Sequence, residues 1–301
     1  MDRFSSICME SVVRLQRLKK SEFPNQVWIE NTNLCNAHCV MCPRDKMTRP
    51  TGIMDFLLFE KLIREISRYS QVNRIHLHNY GEPLIDPDLP AKIKFAKDYK
   101  IKFTYIVTNG SLLNDSLAHT LIQNGLDRIK ISFYGTDAPT YNNTMRGLDF
   151  EQTLSNTLNF FNVRRKLNKT KPSIVIQYIP METNNRQIQQ FVHLFKSQIN
   201  PVWNDKLNIT QLHNYGRGKE FNIAGEKKFT CEFPWNTMVV LYTGEVVPCC
   251  MDFNGDIILG DTNTQSIKDI WNNSSFKDIR KEFMRLDYKN YNICHHCDWV
   301  K

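Results

Sequence analysis

The chain has 301 residues, 41% hydrophobic and 23% charged, a composition that supports a folded core and excludes a wholly disordered chain. Its +8 balance comes from 39 Lys and Arg against 31 Asp and Glu, and the basic residues are dispersed. That distribution reads as a solvated basic surface rather than a nucleic-acid footprint. No apolar run nears the roughly 20 residues of a membrane helix, and the N-terminus lacks the apolar stretch of a secretory signal. The expected compartment is therefore the cytosol, with no nucleic-acid or membrane partner. In that compartment nine cysteines read as metal or redox ligands rather than as disulfides.

In chain order, residues 1–23 form an amphipathic basic helix, expected to pack on its own domain. A strand at 27–31 leads into the first cysteine group. Helical periodicity then covers 56–69, 89–99, 115–124, 150–167 and 185–196. Alternating or apolar strand patterns occupy 74–78, 102–107, 128–133, 173–179 and 206–212. Six strands with helices between them predict an α/β fold with a parallel sheet, a partial (β/α)6 TIM-like barrel over 24–215. From 216 to 301 the pattern changes to a hairpin around Thr243-Gly244-Glu245 and two short helices near 266–271 and 274–285. This predicts a small α+β subdomain stapled by metal, an iron–sulfur subdomain in the reading developed below.

Cys35, Cys39 and Cys42 place three thiols in a Cys-x3-Cys-x2-Cys loop directly after the first strand. Iron–sulfur clusters normally take four cysteines, so three leave one iron open to a small molecule. A zinc site completed by His38 is the competing reading, but His38 directly precedes Cys39, and adjacent residues seldom face one ion. The polar strand ends also matter, because parallel β/α folds collect function there. Asn79 to Pro83 follow the second strand, Thr108 to Gly110 the third, and Ser132 and Tyr134 close the fourth. Glu182 follows the fifth and His213 the sixth. Tyr134, Glu182 and His213 are the expected base or substrate contacts at the barrel mouth. His76 and His78, on one strand face, read as core or mouth-lining residues.

The cysteine loop resembles the hallmark of the radical S-adenosylmethionine (SAM) superfamily, with Met41 at the position before the last cysteine. The resemblance implies a [4Fe–4S] cluster on Cys35, Cys39 and Cys42, with SAM on its fourth iron. Gly81-Glu82-Pro83 resembles the family's segment that grips the SAM amino group. By the same resemblance Asn109 and Ser132 contact SAM, and Arg146 faces its carboxylate. Cys231, Cys249, Cys294 and Cys297 suffice for one further cluster or for a structural zinc. Their spacing resembles the SPASM family in its short, twitch form, and within it the dehydrogenases that act on 2-deoxy-scyllo-inosamine. This implies a second, auxiliary [4Fe–4S] cluster.

The expected activity is that of a radical SAM oxidoreductase acting on a small polar molecule, a sugar, cyclitol or amino-sugar, with the auxiliary cluster as electron acceptor. A flavodoxin or ferredoxin is the expected reductant. Two alternatives remain. One is a radical epimerase or peptide-modifying maturase using the leftover Cys250 as hydrogen donor. The other is a non-catalytic, zinc-stapled binding protein.

Overall fold

The structure is a computed structural model, and it describes residues 21–215 and 230–299. The amphipathic segment at 1–20, Cys8 within it, and the stretch 216–229 lie outside the described residues.

Six parallel strands follow one another across the sheet: β1 (Gln26–Ile29), β2 (Arg74–His76), β3 (Thr104–Thr108), β4 (Arg128–Ser132), β5 (Ser173–Tyr178) and β6 (Lys206–Ile209). Helices α1 (Phe56–Ile66), α2 (Leu89–Asp98), α3 (Asp115–Gln123), α4 (Ala138–Thr144), α5 (Phe150–Lys166) and α6 (Ile188–Lys196) lie between them in sequence. This is the mixed α/β, partial-barrel architecture that the strand–helix alternation predicts. The helix starts follow from side-chain chemistry. Asp55, Asn114, Asp137 and Asp149 each accept a hydrogen bond from a backbone N–H of the first turn of α1, α3, α4 and α5.

The C-terminal hairpin is more closely integrated than its sequence suggests. Strand β7 (Thr237–Val240) pairs in parallel with β1, so the sheet has nine strands, closed at that edge by antiparallel β8 (Glu245–Val247) and β9 (Gly260–Asp261). Helices α7 (Phe233–Asn236), α8 (Ile267–Asn272), α9 (Ser274–Met284) and α10 (Asn292–His296) surround it, with Cys294 in α10 and Cys231, Cys249, Cys250 and Cys297 in the loops that flank these elements. Sequence periodicity misses α4, α7 and α10, each seven residues or shorter and therefore under two turns.

Two buried ionic ties fix the barrel. Arg164 of α5 donates bidentately to Asp205 at 2.7 and 2.6 Å, and Asp205 also accepts from the Ile174 N–H. Glu30, fully buried just after β1, accepts from the Arg49 guanidinium, the Asn79 amide and the Tyr242 N–H. One carboxylate thereby joins the cysteine loop's far end, the loop after β2 and the C-terminal hairpin. Burial pushes the Glu30 pKa up, and the Arg49 hydrogen bonds and charge oppose that rise.

Candidate functional site

Two cavities hold the cysteines. The larger opens at the carboxyl ends of the barrel strands, and Cys35, Cys39 and Cys42 line it. The smaller is walled by Cys231, Cys249, Cys294 and Cys297 among Phe233, Phe283, Tyr288 and Trp299.

The cysteine loop is held by its own backbone and by its neighbours. Thr32 and Asn33 donate from their side chains to the carbonyls of Gly52 and Pro50 at 2.8 and 2.9 Å. Residues 38–39 form a short antiparallel pair with 145–146. The Glu82 N–H donates to the Leu34 carbonyl at 2.7 Å, which brings the loop after β2 against the cysteine loop. Gly81 makes that approach possible at φ +120°, where a Cβ would sit 2.6 Å from the Thr32 carbonyl oxygen.

The thiols fit a cluster. Burial pushes Cys35 up to about 11 and Cys39 up to about 12. The same cause pushes Cys231 up to about 12 and Cys249 well above the usual thiol range. Bare thiolates are therefore costly in both cavities, and a metal group bound there would ionise them, releasing protons as it binds. Among the described residues no three His, Cys, Asp or Glu side chains converge on a single ion. Cys35, Cys39 and Cys42 share the larger cavity, and Cys231, Cys249, Cys294 and Cys297 the smaller one. Two backbone N–H groups, from Met251 and Trp299, donate to the sulfurs of Cys249 and Cys297 at 3.4 Å, the type of contact that tunes cluster potentials.

Met41, Gly81, Glu82, Asn109, Ser132, Tyr134 and Cys250 all line the larger cavity. Glu82 is 1% exposed and accepts from Thr108 Oγ1 and the Asn109 N–H, both at 2.6 Å, and from the Leu84 N–H. No cation is paired with it among the described residues, and burial pushes its pKa up to about 7. Asn109 is fixed by Asn36, to which it donates at 2.9 Å, and by Ser111. Tyr134 donates from its hydroxyl to Ser132 at 3.0 Å.

Three expected residues are not brought to this cavity. Arg146 is exposed, and its backbone pairs with His38 while its neighbour Met145 lines the wall. Glu182 is exposed in a turn closed by Asn184, which accepts from the Met181 N–H at 2.6 Å and donates to the Tyr134 carbonyl. His213 packs on Trp299, with its Nδ1 3.6 Å from Asp298, beside the smaller cavity. His78 and Tyr80 line the larger cavity, as their place at the mouth leads one to expect, whereas Lys130 and Gln177 line it without any signal at a strand end. The signal for Lys130 was present, because it shares a strand face with Ser132 by period two.

Glu82 carries a pH prediction. Its native pKa lies above the 4.5 of an ordinary glutamate, so between these values the native state holds more proton than the unfolded chain. Stability of the metal-free protein should therefore be highest below pH 4.5 on this account and fall by about 3 kcal/mol as pH rises to 7, a slope that Glu82→Gln removes. Urea unfolding at a series of pH values reads it, and an unchanged slope in the variant refutes it.

Comparison with known proteins gives two family matches along the chain. The Radical SAM superfamily matches residues 29–193, and SPASM, an iron–sulfur cluster-binding domain, matches residues 231–298. The S-adenosyl-L-methionine-dependent 2-deoxy-scyllo-inosamine dehydrogenase of Niallia circulans is 24% identical over 279 residues, covering 92% of this chain and 93% of that protein. The tungsten-containing aldehyde ferredoxin oxidoreductase cofactor-modifying protein of Pyrococcus furiosus is 23% identical, covering 91% and 89%. Among solved structures, BtrN in complex with AdoMet and 2-DOIA superposes with a TM-score of 0.64 at 23% identity, covering 92% of this chain and 93% of that one. Streptococcus suis SuiB bound to precursor peptide SuiA gives 0.67 at 16% identity, covering 91% and 71%. These structures share the fold. No helix among the described residues is long and apolar enough to cross a membrane. Because the matched family spans more than half of the chain, including the cysteine loop and the strands that frame the larger cavity, the chain belongs to the radical SAM superfamily as an oxidoreductase with a [4Fe–4S] cluster, SAM and a C-terminal iron–sulfur-binding SPASM domain.

Proposed function

We infer that the chain takes a hydrogen atom from a carbinol carbon of a small polar substrate, a sugar, cyclitol or amino-sugar, and oxidises it by two electrons. When bound, SAM and the first cluster supply a 5′-deoxyadenosyl radical, and the auxiliary cluster supplies the acceptor for the substrate's second electron. Cys35, Cys39 and Cys42 would hold the first group. Glu82 would hold the SAM ammonium, which supplies the cation its buried carboxyl lacks. Met41, Asn109 and Ser132 would line the nucleotide, with Gly81 keeping the loops close enough to do so. Tyr134, its hydroxyl kept protonated by burial, would be a neutral substrate contact. A reduced flavodoxin or ferredoxin, acidic carriers that suit a +8 chain, would deliver the first electron.

One observation carries this reading. Cys249 walls the smaller cavity, its neighbour Cys250 lines the larger one, and Met251 lines both. One auxiliary ligand, Cys249, would thus sit one residue from the substrate chamber, placed to pass on an electron from it.

The double variant Cys231→Ala, Cys294→Ala tests it. Iron should fall from about eight to about four per chain. SAM cleavage should persist while oxidised product disappears. Oxidised product at the parent level would remove the acceptor role.

The position of Cys250 supports a second reading, an epimerase or peptide-modifying enzyme in which this thiol returns hydrogen. Burial pushes the thiol up to about 12, so it keeps its hydrogen at neutral pH. In deuterated water an epimerase loses label incorporation on Cys250→Ala, whereas a dehydrogenase keeps its product yield.

A further inference from the structure

Lys130 stands in the middle of β4, and its side chain lines the larger cavity together with the cluster cysteines, Ser132 and Cys250. Among the described residues it has no carboxylate partner. Its neighbour is the Tyr105 ring, 5.9 Å from the ammonium. Burial, together with the cations Lys206 and Arg128, pulls its pKa down to about 8, with only the nearby Cys250 thiol acting in the opposite direction. The histidines on this side add no charge of their own, because burial holds His76 and His78 far below the usual range and therefore neutral.

A second observation is independent of charge. Gln177, on the adjacent strand in register with Ser132, lines the same cavity, is 9% exposed, and has a side-chain oxygen with no hydrogen-bond partner. The Tyr80 hydroxyl, on a residue 7% exposed in the cavity wall, is also unpartnered. Buried polar groups without partners are costly in a folded chain, and a bound ligand is one remedy.

We propose that the chamber binds an anionic group of the substrate, a carboxylate or a phosphate, on Lys130, with the Tyr80 hydroxyl donating to it and the Gln177 side-chain oxygen accepting from a hydroxyl of the same substrate. This rests on the hydrogen-abstraction reading above and narrows it to an acidic sugar or cyclitol. A protonated amine in the same place would meet an uncompensated cation, so the amino-sugar class is disfavoured. A carboxylate or phosphate gains charge-assisted hydrogen bonds at a site where water is scarce.

Protection of Lys130 from a neutral acetylating reagent tests the proposal, read by peptide mass spectrometry on anaerobically reconstituted, SAM-saturated protein. The probes are inorganic phosphate, D-glucuronate and the uncharged scyllo-inositol. Exposed Lys94 serves as the internal standard. At about ten times a millimolar Kd, phosphate or glucuronate should slow acetylation of Lys130 about tenfold, leaving Lys94 unchanged. Which anion protects distinguishes phosphate from carboxylate. No protection by either anion overturns the proposal, as does equal protection by scyllo-inositol. Full protection by SAM alone also overturns it and assigns Lys130 to the nucleotide's carboxylate. Formation of 5′-deoxyadenosine by the same preparation reads the parent reading separately. Intact cleavage without anion protection removes the anion subsite and leaves radical chemistry standing.

Discussion

Cys39→Ala is expected to abolish 5′-deoxyadenosine formation and to lower iron from about eight to about four per chain. The argument starts from the loop. Cys39 is one of the three loop thiols that line the larger cavity, and it is anchored by backbone pairing with Met145. Burial pushes its thiol up to about 12, so it becomes a thiolate only when a metal compensates the charge. With three protein ligands there is no spare cysteine in that loop to replace it. Cys250 lies in the same cavity but on the hairpin side, outside the ligand set, so Cys250→Ala should keep about eight irons and full SAM cleavage. Iron analysis, the visible absorption of the anaerobic protein and chromatography of the nucleoside products read both variants. If Cys39→Ala still cleaves SAM with full iron, the first cavity is not where the reaction begins.

The barrel was legible because its signals are local. Runs such as Arg128-Ile-Lys-Ile-Ser132 alternate with the period of a strand, and Asp or Asn caps mark the helix starts. The cysteine loop was legible for the same reason, since three ligands fall within eight residues. The joining of β7 to β1 was not, because 211 residues separate the paired positions (Gln26 with Thr237, Ile29 with Val240) and no local pattern records that choice of edge. The polar residues of the mouth were only half legible. Adjacency to a strand end says that Glu182 and His213 are near the rim, but the turn held by Asn184 and the packing on Trp299 decide where each side chain goes. Lys130 and Gln177 escaped attention for the opposite reason. They sit within strands, where a polar residue reads as the solvent face of an alternating pattern. In an open barrel that face is the chamber, and the register of β4 with β5 makes the two residues neighbours of Ser132.

Gly81→Ala should be the most disruptive single-methyl change in the chamber. The new Cβ would lie 2.6 Å from the Thr32 carbonyl oxygen and 2.8 Å from both the Asn33 Cα and the Leu34 carbonyl oxygen. All three are backbone atoms of the segment that leads into Cys35, so no side-chain rotation relieves the overlap. The residue also sits at φ +120°, where an L side chain is strained even in open space. The expected outcome is a loss of about 3 kcal/mol in stability. The loop after β2 must move away from the cysteine loop, so the Glu82 N–H to Leu34 carbonyl hydrogen bond is lost and Glu82 shifts with it. SAM binding and first-cluster iron should therefore fall together while the auxiliary cluster stays. Gly125→Ala is the matched control, because it shares positive φ, at +86°, but its Cβ would meet only the flexible Lys97 side chain, at 3.3 Å. That variant should cost about 1 kcal/mol and bind normal iron. Denaturant unfolding, iron content and SAM binding measured on both variants decide the matter. Equal losses in the two would mean that backbone strain alone governs, and that contact between the two loops does not set the first cluster's place.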